Sequence, residues 1–220
     1  ITPALEKDGY SFEQKEKLAN YLVGLGFYEI FTNSITNSNF YDEQVLKRSV
    51  KMINNLSVEL DILRPEMLQG GLQVITHNNN RKNFNLRIFE FGISYSVLPG
   101  KKYTEVNHLS LYSSGNINEQ DWKTKPVKTD FYYLKGAVEQ ILALAGITNV
   151  SFEASEKKNF NNCTEIKINN NIIGFLGAVD ENTLKQFDVK QPVFYADLLW
   201  DEILSNGKRK SVSYKEVSKF

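Results

Sequence analysis

The sequence predicts an α+β fold, a mainly antiparallel sheet flanked by helices. Three observations predict it. Apolar stripes at helical spacing occur early, near the middle and again past residue 130. Between and after them lie short segments rich in alternating aromatic and β-branched residues. The late connections are of hairpin type, which favours antiparallel pairing with helices packed on the sheet.

The first element is a helix over about Ser11–Val23. Ser11 and Gln14 fit a capping box, and Leu18, Tyr21, Leu22 and Leu25 fall on one face. Gly24 and Gly26 end it. Phe27–Ile35 reads as a strand, followed by a polar turn over Asn33–Asn39. A second helix starts at Arg64-Pro65, where proline suits the first helical position. Its stripe is Met67, Leu68, Leu72 and Ile75, and it frays at Asn78-Asn79-Asn80. Gly70-Gly71 in its middle costs about 1 kcal/mol per glycine relative to alanine, so close packing against another backbone is expected there.

Leu86–Tyr95 is a strand with Phe89, Phe91, Ile93 and Tyr95 on one face. Leu86 and Ile88 lie on the other, as in a central strand. Val97-Leu98-Pro99-Gly100 turns the chain into a partner strand over Val106–Tyr112. Asp130 caps a helix running to Ala145, with Leu134, Val138, Ile141, Leu142 and Ala145 in its stripe and Gly146 at its close. Strands follow at Val150–Phe152, Thr164–Ile168 and Ile172–Val179, the last two joined by Asn169-Asn170-Asn171. Gly174 and Gly177 within the last of these predict a bulge or tight packing. A short helix over Asp180–Phe187, a strand over Val193–Leu198 and a helical turn over Trp200–Leu204 complete the series.

Composition narrows the chemistry. The chain has 220 residues, 41% hydrophobic and 24% charged, which is ordinary globular usage. Lys plus Arg equals Asp plus Glu, so the net charge is zero and tight RNA binding by this segment alone is not indicated, while a local basic patch stays open. One cysteine, Cys163, excludes an internal disulfide and a thiolate zinc site, and points to a reducing compartment. His77 and His108 show no ligand spacing and read as a turn residue and a strand-surface residue. No apolar run is long enough to span a membrane. The opening residues do not read as a signal peptide. The start at Ile1 and the strand-like segment Val212–Phe220 read as the ends of a piece of a longer protein.

No phosphate-binding glycine loop is present. The serines near the two histidines form no recognisable triad. The pairs Asp180-Glu181 and Asp201-Glu202 sit at helix starts, where the helix dipole accounts for them.

Several stretches, in order, resemble the phenylalanyl-tRNA synthetase β subunit. Lys17–Ile30 is similar to motif 1 of class II synthetases, an interface helix followed by a strand. Leu63-Arg64-Pro65 with the helix after it, Arg87–Gly92 as the motif 2 strand, Asp130–Gly136 and Ile173–Gly177 continue the likeness. Tyr214–Phe220 is similar to the start of the ferredoxin-like anticodon-binding domain. Asn161-Asn162-Cys163 departs from the Pro-Gly-Arg-like turn usual in the family. The resemblance implies a class II catalytic-domain-like module over residues 1–211, with the next domain beginning at 212–220.

It also implies a role in a cytoplasmic (αβ)2 phenylalanine–tRNA ligase that charges tRNA(Phe) with ATP and Mg2+. The α subunit carries the active site, and this module binds no cofactor itself. In active relatives the motif 2 strand ends in an aromatic followed by an arginine; here Tyr95 is followed by Ser96. Losing such a fixed donor costs about 3–4 kcal/mol of transition-state stabilisation. Where motif 3 carries glycines and an arginine, this chain has Phe194–Asp201 with neither. No catalytic, cofactor or metal residue is therefore assigned. The stripe Leu18, Tyr21, Leu22 and Leu25 faces either the α subunit or the chain's own sheet, since both bury the same area. The other readings are an active class II enzyme of another kind and a stand-alone RNA-binding or regulatory synthetase paralogue.

Overall fold

The structure, a computed structural model, describes residues 9–54, 57, 59–100, 102–118 and 122–207. The expected domain start at 212–220 lies outside the described residues.

Helix α1 (Gly9–Gly24) leads into strand β1 (Tyr28–Glu29). The described part of α1 begins ahead of Ser11, so that serine lies inside the helix. Its Oγ accepts a hydrogen bond from Trp200 Nε1 at 3.3 Å. The strand expected over Phe27–Ile35 is interrupted. Thr32 bonds through its N–H and Oγ1 to Glu90 (3.2 and 2.7 Å), which draws the chain off the sheet edge. It resumes as β2 (Ile35–Thr36), paired with β3 (Ile62–Leu63) in a separate two-stranded sheet. A 3-10 turn at Ser38–Phe40 and the short helix α2 (Glu43–Leu46) lie between them, each started by an Asn37 or Asp42 side-chain cap.

Helix α3 (Leu68–Asn79) begins three residues after Pro65, later than expected. Gly70 and Gly71 do mark close packing, but against side chains: a Cβ on Gly71 would sit 2.1 Å from the Tyr112 ring. Strands β4 (Leu86–Leu98) and β5 (Lys102–Ser114) form a long hairpin closed by Pro99-Gly100. Helix α4 (Phe131–Leu144) is capped by Asp130, which accepts from Tyr133 N–H at 2.7 Å. Then come β6 (Ser151–Ser155), β7 (Phe160–Ile168), β8 (Asn171–Val179), α5 (Glu181–Gln186), β9 (Val193–Leu199) and α6 (Trp200–Asn206). Asn169 and Asn170 both have positive φ (49° and 68°), the conformation a tight hairpin requires.

Among the described residues, seven strands form one sheet in the order β1-β4-β5-β9-β8-β7-β6. All neighbours are antiparallel except β1 and β4. Its first face is covered by α1, α4 and α6, over a core that includes Leu18, Leu22, Phe89, Leu109, Val138, Ile141 and Leu198. On the second face, α3 and α5 cover one end, around Met67, Leu72, Ile88, Tyr112, Leu184 and Tyr195. The alternation expected for β4 is kept: Phe89 goes to the first core, and Leu86 and Ile88 to the second.

Candidate functional site

The second face is where side chains of β5, β7, β8 and β9 line a cavity of about 410 Å3, with the side chains of β4 beside it on the same face. Strand alternation decides which residues reach it. Ser110 stands opposite both Glu90 and Asp197, and Tyr112 opposite Tyr195, so these side chains share one face. Phe175 is opposite Asp197 and joins them. Gly174 lets β8 approach β9, since a Cβ there would lie 2.4 Å from Asp197 O. This is the tight packing expected of that glycine, next to a register shift in the β7–β8 pair.

His108 is not the strand-surface residue the sequence suggested. It is buried in a hydrogen-bonded row. Its Nδ1 lies 3.0 Å from Asp197 Oδ1 and its Nε2 2.8 Å from Ser94 Oγ. A carboxylate only accepts, so Nδ1 carries a hydrogen toward Asp197. Ser110 Oγ donates to the same carboxylate oxygen at 2.9 Å. Ser94, His108 and Asp197 thus have the connectivity of a nucleophile, base and orienting acid, which the linear sequence did not reveal. The row lacks the rest of that machinery. Ser94 is buried within β4, and the Tyr95 N–H beside it donates to Arg64 O at 2.9 Å, so that amide is not available to stabilise an oxyanion. Deeper in the floor, burial pushes the Tyr112 and Tyr195 phenols well above their usual range, so neither is a base at neutral pH.

Next to the row, Glu90 is fully buried and paired with Arg64 at 2.9 Å. Arg64 also donates from Nε to Ile93 O (2.8 Å) and from Nη1 to Thr32 Oγ1 (2.7 Å). Its guanidinium is therefore committed to the scaffold. The cavity wall holds three cations that sequence reasoning missed, Arg48, Lys157 and Lys158, set against Asp42, Glu66 and Asp197. Lys158 is ion-paired with Asp42, and Lys157 stands 3.4 Å from the centre of the Phe175 ring. Three charges of each sign leave no net field to gather a triphosphate. Only the fold brings these cations to one wall, because they come from the loop before residue 50 and the turn between β6 and β7. Ser96 lies near the hairpin end of β4, half-buried, with no guanidinium in its place. No cluster of three His, Cys, Asp or Glu side chains able to hold a metal occurs among the described residues. No described helix is long and apolar enough to cross a membrane.

Of the four stripe residues of α1, Leu18 and Leu22 are fully buried in the chain's own first core, while Tyr21 and Leu25 are half-buried against it. The outer side of the helix carries Phe12 and Val23, and Tyr28 and Phe31 follow, all strongly exposed. The carboxylate pairs behave as helix-start residues: Asp180 caps α5 by accepting from Thr183 N–H at 2.8 Å, and Asp201 lies in the first turn of α6.

Comparison with known proteins agrees with this geometry. Among solved structures, pyrrolysyl-tRNA synthetase from Desulfitobacterium hafniense superposes with a TM-score of 0.70 at 15% identity, covering 88% of this chain and 68% of that one. A second structure of that protein gives 0.68 at 17% identity, over 91% of this chain and 71% of its own. These establish the class II synthetase-like fold. In sequence, the chain is 36% identical to the phenylalanine–tRNA ligase β subunit of Bacteroides fragilis, over 92% of this chain and 26% of that protein. It is 34% identical to that of Carboxydothermus hydrogenoformans, over 87% and 25%. The chain thus spans about a quarter of the length of the curated relatives it matches. Residues 2–200 match the family described as the phenylalanyl-tRNA synthetase beta chain CLM domain, and the chain belongs to that family.

Proposed function

We propose that this chain is a non-catalytic module of a phenylalanine–tRNA ligase β subunit, kept for its shape. The ligase would charge tRNA(Phe) in the cytoplasm, with ATP and Mg2+ used at the active site of a partner α subunit in an (αβ)2 assembly. The observation that carries this reading is the second face of the sheet. Ser94, His108, Ser110 and Asp197 bond to one another there, the guanidinium of Arg64 is held by Glu90, and the cations of the cavity wall are matched by as many carboxylates. Adenylate formation needs fixed cations aimed at developing phosphate charge. Isothermal calorimetry of the chain with ATP and Mg2+ is expected to give no binding heat; saturable micromolar binding would overturn the reading.

The outer side of α1 and the segment after it supply the surface for the α subunit in this reading. Phe12 and Val23 are eleven residues apart, three helical turns, and so share one side of the helix. Phe31 is 95% exposed and Tyr28 73%, which adds two aromatic rings to the exposed apolar side chains of this segment. Tyr21 and Leu25 flank this surface, while Leu18 and Leu22 support it from beneath. Phe12→Asp combined with Phe31→Asp is expected to abolish αβ association in size-exclusion chromatography while leaving the circular dichroism of β unchanged. An intact tetramer from this variant would exclude the surface.

A further inference from the structure

At the end of the sheet away from the β4–β5 turn lies a second cleft, of about 530 Å3. Its wall is made by Lys82, Asn83, Phe84 and Asn85 ahead of β4, by Gly115, Asn116, Lys128 and Thr129 after β5, and by Gln191 and Pro192 ahead of β9. No carboxylate lines it among the described residues, in a chain whose net charge is zero. Neither Lys82 nor Lys128 takes part in an ion pair among the described residues. The nearest acid beyond Thr129, Asp130, is turned away to cap α4. Phe84 presents an apolar ring that is 49% exposed, and Asn83, Asn85, Asn116 and Gln191 add side-chain amides to the wall.

The cleft is also held in shape. Gln191 Nε2 donates to Phe84 O at 2.8 Å and ties β9 to this rim. Asn85 Oδ1 accepts from Asn116 N–H at 2.8 Å. Gly115, at φ +80°, packs so closely that a Cβ would lie 2.2 Å from Phe84 O. Asn116 and Lys128 face each other across a β-bridge, and Thr129 N–H donates to Gly115 O at 2.9 Å.

We propose that this cleft binds one unpaired nucleotide of the tRNA, an inference that rests on the ligase reading above and gives its RNA a place of contact. Lys82 and Lys128 neutralise the backbone phosphates, which are the dominant source of affinity for a nucleic acid. The Phe84 ring stacks on the base. Asn83, Asn85 and Asn116 offer donors and acceptors to its edge, and amides suit an unpaired base whose edge is free. The volume lies within the range of small-ligand sites.

The test uses the complete β subunit assembled with its α subunit, with tRNA(Phe) as the probe. Lys82→Gln with Lys128→Gln is expected to weaken tRNA binding about tenfold near 0.1 M salt, and to lower the slope of log affinity against log salt by about 1.4, roughly 0.7 per lost phosphate contact. ATP–pyrophosphate exchange without tRNA should be unchanged. Phe84→Ala should weaken tRNA binding at every salt concentration without altering the slope, and Phe84→Tyr should restore it. Unchanged affinity and slope in the double variant, with normal charging by the wild-type complex, would overturn the cleft proposal alone. A wild-type complex that charges no tRNA would overturn the ligase reading, and the cleft proposal with it.

Discussion

Arg64→Met is expected to cost about 3–5 kcal/mol of unfolding free energy, because it leaves a carboxylate in the interior without a counter-charge. Glu90 is fully buried in the middle of β4, and its carboxylate is held by Arg64 Nη1 at 2.9 Å and by Thr32. The two hydrogen bonds from Thr32 would survive the substitution, but they carry no charge. Urea denaturation of the chain measures the loss. Removing both partners, Arg64→Met with Glu90→Leu, should recover most of it, since a buried ion pair gives little net advantage over apolar groups of similar volume. The coupling between the two sites is then strongly non-additive. Additive effects would show that Glu90 finds compensation elsewhere.

Gly71→Ala is expected to destabilise by about 2–3 kcal/mol, against the usual sense of this substitution in a helix. Alanine favours a helix by about 1 kcal/mol over glycine. At this position the added methyl would lie 2.1 to 2.6 Å from three ring atoms of Tyr112. The ring cannot retreat easily, because it is fully buried and its hydroxyl donates to Met67 O at 2.6 Å. Overpacking costs about 1–3 kcal/mol, and an orphaned carbonyl a similar amount. Gly136, in α4, provides the opposite case. A methyl there meets nothing within 4 Å, so Gly136→Ala should stabilise by about 0.5–1 kcal/mol. Thermal melts of the two variants should therefore move in opposite directions.

Features fixed by neighbours in sequence were readable before the structure. Asp130 at its cap, the left-handed Asn169-Asn170 turn and the two-sided alternation of β4 each express a local rule. So does the spacing of Leu134, Val138, Ile141 and Leu142, all buried on α4. What stayed hidden depends on distant segments. Ser94, His108 and Asp197 come from three strands, and their row exists only because β9 inserts beside β5. Nothing around His108 in the sequence marks it as buried. The same holds for the stripe of α1: periodicity showed that Leu18 and Leu22 are covered, and only packing against α4 shows by what. The cleft residues Lys82, Lys128 and Gln191 lie in three loops, and a zero net charge concealed their shared location.

The place of β9 in the sheet has a consequence for how the molecule is made. It is the last strand along the described chain, yet it lies between β5 and β8. Until residues 193–199 emerge from the ribosome, the β4–β5 hairpin and the β6–β8 meander each present an unpaired edge. Such edges invite association with other chains. Closing them requires contacts spanning some eighty residues of sequence between β5 and β9, which slows folding through the entropy of the intervening loop. A nascent chain halted before β9 is thus two half-sheets, and the final strand acts as the bolt that turns them into one body.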